Sequence, residues 1–326
     1  MKICVAGAGG FIGGHLVKAL RDEGHFVRAC DIKVQEDWWQ VHQGVQNAFH
    51  LDLTSPANAR YATAGMDYVY DLAEHMGGIY FIEHNKVSCA ESIEIGIALL
   101  RASIRNDVTR FFFASSACVY PTHRQKSYGT SMGTISPAIA LKEDDAWPAL
   151  PEEGYGFSKL YMEELCRHYS DTYGLEVRMA RYHNIFGSPG SWNDGKEKSP
   201  AALCRKVAES NGEIEIWGNG EQVRSYLHVS DCVRGTISLM DSDYQYPMNI
   251  GSNRWVSIND LVTMIEKIAD KKLNRVYNPK GAQGVEARNA DINLAWNVLG
   301  WQPEVTLEEG LGELYHWIER QNLRMR

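Results

Sequence analysis

The first half of the chain alternates short apolar runs of strand length with longer amphipathic stretches of helix length. Lys2–Ala6 predicts a first strand, Phe11–Glu23 a helix and Phe26–Asp31 a second strand. Tyr68–Leu72, Arg110–Ser115 and Glu176–Ala180 read as further strands, with helix-like stretches at Ser88–Arg105 and Tyr155–Tyr173 between them. Strands separated by helices of this length predict an α/β protein, a doubly wound parallel sheet with helices on both faces.

Beyond about residue 185 the texture changes. Gly187–Gly195, rich in Gly, Ser, Pro and Asn, reads as a loop. Pro200–Glu209 reads as a helix, and Glu213–Trp217 and Arg224–Val229 as short strands. Two more amphipathic helices are expected at Ile258–Ala269 and Leu307–Gln321. The chain therefore divides into a larger domain over residues 1–184, completed by parts of 225–250, and a smaller C-terminal α/β lobe over 185–326. Gln35–Gly44, with Trp38 and Trp39, is a loop or short helix whose expected role is packing against a neighbouring surface.

Composition narrows the function. The 326 residues are 44% hydrophobic and 23% charged, the balance of an ordinary globular protein. No stretch approaches the ~20 apolar residues that span a bilayer, so no membrane partner is expected. The apolar N-terminus lacks a basic leader and reads as a strand, not a signal peptide. Seven scattered cysteines never form a C-x-x-C pair, which argues against a disulfide framework and against a bound metal; a reducing cytoplasm is the expected setting. A net charge of −8 argues against nucleic acid as partner, yet leaves room for a phosphate-bearing small ligand held by local glycines and arginines.

Gly7, Gly10 and Gly13 lie between the first strand and the first helix with G-x-x-G-x-x-G spacing. Glycine keeps such a turn tight and lets a pyrophosphate approach the backbone at a helix N-terminus, flanked here by Phe11 and Ile12. Asp31 ends the second strand, where a carboxylate accepts hydrogen bonds from ribose hydroxyls and repels an added 2′-phosphate; NAD is the expected cofactor. Asp52-Leu53 resembles the pair that flanks the adenine in short-chain dehydrogenases, and Leu72-Ala73 the strand end beneath the pyrophosphate; the domain is expected to be Rossmann-like.

Tyr155 and Lys159 form a Y-x-x-x-K at the start of a predicted helix, so both side chains share one face. An ammonium nearby lowers a phenol from its usual value of about 10 and suits it to act as base on a sugar hydroxyl. Ser116, in the stretch that ends the preceding strand, resembles the catalytic hydroxyl of short-chain dehydrogenases, a likeness that implies a hydrogen bond to the same sugar oxygen.

With these motifs in view, the sequence resembles the GDP-mannose 3,5-epimerases, extended short-chain dehydrogenases/reductases of the NAD-dependent epimerase/dehydratase type. The resemblance runs over nearly the whole chain. Its most specific stretches are Ser115–Pro121, Leu141–Pro148, His183–Gly187 and Gly195–Arg205, with Met76-Gly77-Gly78 also matching. It implies oxidation of a sugar at C4, proton exchange at C3 and C5, and reduction of the ketone. It places the two carbon acid/base groups on Cys118 and Lys198. It assigns the diphosphate to Arg224 and Arg288, the diphosphate or sugar to Asn184, and further substrate contacts to Gly77 and Ala117. His183 is equally read as an interior histidine. A GDP-sugar substrate and a homodimer through the helices near Ser88–Arg105 and Tyr155–Tyr173 follow from the same likeness. Cys89-Ala90-Glu91-Ser92, His15 and the long Gln125–Ala138 stretch depart from the family pattern and bear on substrate scope. Another nucleotide-sugar 4-epimerase or mutase, or a non-catalytic NAD-binding protein, are the alternatives.

Overall fold

A computed structural model describes residues 1–40, 48–126 and 140–325. Seven strands form one wholly parallel sheet in the order Pro247–Ile250, Glu176–Tyr182, Arg110–Ser116, Tyr68–Asp71, Lys2–Ala6, Phe26–Asp31, Ala48–His50. The next two strands, Phe26–Asp31 and Ala48–His50, build outward on one side of Lys2–Ala6 and the later ones on the other. At that reversal the loops leaving the strand ends part and open a crevice. The doubly wound, Rossmann-like sheet expected from the alternating pattern is therefore present.

The strands are apolar because both faces are covered. Phe111 and Phe112 point to opposite sides, as period two requires. Phe112 packs with Leu16, Val17, Met248 and Trp301, and Phe111 with Leu99, Leu100, Val177 and Met179. A third core, built from Leu203, Val207, Leu261, Ile265, Leu311 and Ile318, holds the C-terminal lobe. There a four-stranded sheet runs in the order Trp255–Ser257, Val223–Ser225, Ala287–Ala290, Ala140–Leu141.

Three local readings change. The helix expected over Ser88–Arg105 is two, Lys86–Glu91 and Ile93–Arg105. At the break the Ser92 hydroxyl donates to the Ser88 carbonyl (3.2 Å) and accepts from the His75 amide (2.9 Å), tying in the loop after Tyr68–Asp71. The strand expected over Arg224–Val229 is likewise two, Val223–Ser225 and Leu227–His228, in separate sheets. Val229 then opens a helix, Val229–Asp241, that packs on Phe11–Asp22, after which Pro247–Ile250 joins the large sheet.

Trp38, Trp39 and Gln40 strap the two halves together. The Trp38 indole lies on Gly9 and donates to the Lys33 carbonyl (3.1 Å), while Trp39 packs on the C-terminal core. Gln40 reaches the carbonyls of both Phe11 (3.4 Å) and Pro189 (3.5 Å). Of the stretch Gln125–Ala138, all but Gln125 and Lys126 lie outside the described residues.

Candidate active site

The glycine turn has no room for side chains. Gly7 has φ +80°, and a Cβ there would come within 2.7 Å of the Leu72 carbonyl; one on Gly13 would overlap the Gly7 carbonyl. Gly10 caps Phe11–Asp22 without a side-chain hydrogen bond, so the first amides of this twelve-residue helix are open to an anion. Ile12 packs into the sheet core, while Phe11 meets Gly190 and the His15 ring. Asp31 is buried at the end of its strand and accepts from the amides of Gly9 and Lys33, each at 2.9 Å. Each carboxylate oxygen has a further lone pair for a ribose hydroxyl. Asp52 binds Thr54 through its amide (3.0 Å) and hydroxyl (2.7 Å), fixing the turn that buries Leu53. These residues fit a dinucleotide.

Tyr155, Lys159 and Ser116 come together below the crevice, each at most 8% exposed. Lys159 Nζ donates to the Ala114 carbonyl (2.9 Å) and lies 4.6 Å from the Phe113 ring centre and 5.7 Å from that of Tyr155. The same ammonium is ion-paired with Glu74. Lysine was expected to lower the phenol; here burial, then Glu74 and Cys118, push Tyr155 up, with the Ser116 hydroxyl opposing them. Burial is the largest cause, and the ammonium expected to oppose it is ion-paired with Glu74.

Above this centre opens a cavity of about 290 Å³, whose walls include Ser116, Cys118, Lys198, Arg224 and Arg288. Cys118 sits in a turn capped by Ser116, whose hydroxyl accepts from the Cys118 amide (3.2 Å). Arg288 donates to the Cys118 sulfur (3.6 Å) and to Gln125 Oε1 (2.6 Å), and pairs with Glu152. It therefore stands at the thiol with a carboxylate of its own. Lys198 caps the helix Ser199–Glu209, and burial pushes its ammonium down while Cys118 opposes the shift. Gly77 and Gly78 let their loop close on Lys196–Lys198: the Gly78 amide donates to the Lys196 carbonyl (2.9 Å), and a Cβ on Gly77 would stand 2.8 Å from Phe81.

Arg224 differs from Arg288. Its guanidinium donates to the carbonyls of Val223, Gln283, Val285 and Glu286, and among the described residues it forms no ion pair. Its charge is uncommitted and faces the cavity. Asn184, at φ +42°, donates to the Ser225 carbonyl (2.9 Å) and also lines the cavity. Ala117 instead packs into a core patch with Val119 and Leu160. His183 is an interior residue: its Nε2 is 2.8 Å from Asn249 Oδ1, and burial pushes it down to about 4.

Three carboxylates at the site escaped the sequence reading. Glu74 follows directly on Leu72-Ala73 and Glu152 lies three residues before Tyr155, so their positions beside known motifs were the available signal. Asp71, buried behind Lys159, is pushed up to about 7 by burial, with Lys159 opposing and Glu74 adding to the shift.

The chain matches the NAD dependent epimerase/dehydratase family over residues 3–251. A GDP-mannose 3,5-epimerase of Arabidopsis thaliana is 42% identical over 323 residues, 98% of this chain and 83% of the relative. GDP-mannose 3,5-epimerase 1 of Oryza sativa subsp. japonica is 41% identical, covering 98% and 82%. Among solved structures, a UDP-glucose 4-epimerase of Thermotoga maritima with UDP-glucose aligns at TM-score 0.85 and 26% identity, covering 99% of this chain and 100% of that one. A UDP-glucuronic acid 4-epimerase of Bacillus cereus in complex with UDP-glucuronic acid and NAD aligns at TM-score 0.83 and 25% identity, covering 98% and 100%.

Proposed function

The chain belongs to the NAD dependent epimerase/dehydratase family, and from that premise we propose that it epimerises GDP-mannose at C3 and C5, to GDP-L-galactose, GDP-L-gulose or both. The observation that carries the reading is the pairing of Cys118 and Lys198 on one cavity directly above Tyr155 and Ser116. A plain 4-epimerase has no use for a thiol and an ammonium there.

The glycine turn, the open helix N-terminus and Asp31 hold NAD, which when bound accepts and returns the C4 hydride. Ser116 orients the C4 hydroxyl and Tyr155 takes its proton. With C4 at the ketone level, the C–H bonds at C3 and C5 become acidic. Cys118 and Lys198 then remove and replace protons at these carbons. Arg288 donates to the Cys118 sulfur and so helps to hold it in place, and the burial that pushes Lys198 down makes that ammonium a readier proton donor. Arg224, with no carboxylate partner among the described residues, holds the diphosphate, and Asn184 the sugar end.

The helices carrying Val87, Phe157 and Tyr161 expose these side chains by 51 to 69%, which supports a homodimer; light scattering in solution tests it. Seven free, buried cysteines support a reducing, cytoplasmic setting. Among the described residues no helix is long and apolar enough to cross a membrane.

Incubation with GDP-mannose in deuterium oxide, read by NMR and mass spectrometry, tests the activity. The expected result is deuterium at C3 and C5, lost in Cys118→Ala and Lys198→Ala. A new sugar without carbon-bound deuterium would make the protein a 4-epimerase. NAD bound without turnover of any nucleotide sugar would make it a binding protein.

A further inference from the structure

We infer that Glu74 is a positioning residue of the hydride-transfer centre, a carboxylate that clamps the Lys159 ammonium and governs when Tyr155 accepts a proton from the sugar. The inference rests on the reading of Tyr155 as base given above.

Glu74 Oε2 is ion-paired with Lys159 Nζ, yet its other oxygen, Oε1, is buried and has no hydrogen-bond partner. Most buried polar atoms have a partner, and Glu74 has its open oxygen in common with Glu197, which pairs with Arg205 through Oε1 alone. Glu163, one helical turn beyond Lys159, satisfies both its oxygens: Oε1 takes the Arg181 Nε (2.9 Å) and the Ser115 hydroxyl, and Oε2 takes Arg181 Nη2 (2.7 Å). Glu74 leaves an acceptor open, and it lines a small cavity with Ser92, Ser158 and Lys159. It is built to share its lysine.

The groups that act on Tyr155 come from four elements. Lys159 lies on the same helix, Glu74 follows Tyr68–Asp71, Cys118 follows Arg110–Ser116, and Cys89 stands on Lys86–Glu91. Behind them, Asp71 acts on Lys159 and Glu74, and Arg288 and Lys198 act on Cys118. Cys118 and Cys89 raise the phenol, but only as thiolates; Glu74 is the carboxylate beside it. After burial itself, Glu74 is the largest influence holding the phenol up. Removing its charge takes away that influence and leaves only Asp71, behind Lys159, to oppose the ammonium, so the phenol ionises at lower pH.

The test uses full-length protein and Glu74→Gln, Glu74→Ala, Glu74→Asp and Tyr155→Phe. Two pH profiles are read: single-turnover hydride transfer, from the absorbance of bound NADH, and the tyrosinate ultraviolet signal that Tyr155→Phe removes. In Glu74→Gln and Glu74→Ala the acid limb and the Tyr155-dependent tyrosinate signal are both expected to move down by about one pH unit or more. Glu74→Asp, which keeps the charge, is expected to restore both most of the way. Unmoved profiles in folded Glu74→Gln, with Tyr155→Phe inactive, would overturn the inference and leave the base reading standing. Full hydride transfer in Tyr155→Phe would overturn the base reading and this inference with it. If neither Glu74→Gln nor Glu74→Ala folds, Glu74 serves the fold and the inference is overturned.

Discussion

One helix, Tyr155–Tyr173, carries two buried ion pairs one turn apart, and they are opposites in construction. Arg181–Glu163 is closed. It is bidentate, its remaining guanidinium nitrogen reaches the Glu143 carbonyl (2.6 Å) and the Tyr120 hydroxyl (3.3 Å), and Tyr120 passes on to Asn249 (2.6 Å). Lys159–Glu74 is open. It keeps one carboxylate oxygen unmatched, a buried acid near neutrality behind it and the crevice in front. A satisfied pair resists change and belongs to the fold. An incompletely satisfied pair keeps an oxygen free for another donor, which is what the proposed role of Glu74 uses.

The largest contrast is expected from Lys159→Ala. Single-turnover hydride transfer should fall about 10²–10⁴-fold, while melting shifts less than in Glu163→Ala, because water from the crevice can solvate the stranded Glu74. Glu163→Ala should do the reverse. It strands Arg181 in the core and costs about 3–5 kcal/mol of stability by denaturant unfolding, and molecules that remain folded keep their turnover. Asp71→Asn sharpens the comparison through pH. The folded carboxyl titrates at about 7, above its unfolded value near 3.9, so between those values the folded state holds the extra proton. The wild type should therefore lose on the order of a few kcal/mol of stability as pH rises from 4 to 7, and the variant should lack that slope. Smallest is Arg224→Ala, a cation with no carboxylate partner among the described residues. It should raise KM for the nucleotide sugar by about tenfold to a hundredfold, ~1.5–3 kcal/mol of charged hydrogen bonding, with kcat little changed.

What was legible in the sequence follows how local each signal is. Arg110–Ser116 announces itself because RFFFASS is apolar on both faces, and Tyr155–Lys159 because one helical turn holds the whole motif. Ala48–His50 is three residues long, and Pro247–Ile250 opens on proline, a residue that cannot donate to a ladder and reads as a breaker. The helix Val229–Asp241 was missed because its apolar face is marked only by the helix Phe11–Asp22 it covers. Within the site, Gly7 and Asp31 carry their context with them, whereas Ser116 and Cys118 were expected there only from the family likeness. Glu74 and Glu152 carry no such context, since their meaning lies in Lys159 and Arg288, which only the fold brings near. Arg288 shows the same limit from the other side. An arginine's taste for phosphate is readable from its type, but its commitment to Glu152 and the Cys118 sulfur is not.

The late edge strand has a consequence for how the molecule is made. Glu176–Tyr182 is buried almost along its whole length, yet its outer neighbour, Pro247–Ile250, is encoded only after the chain has contributed strands to other sheets. Until those later residues are made, Glu176–Tyr182 has no outer partner, and its apolar edge is open to other chains. A chain cut after residue 184 is expected to keep that edge open and to aggregate.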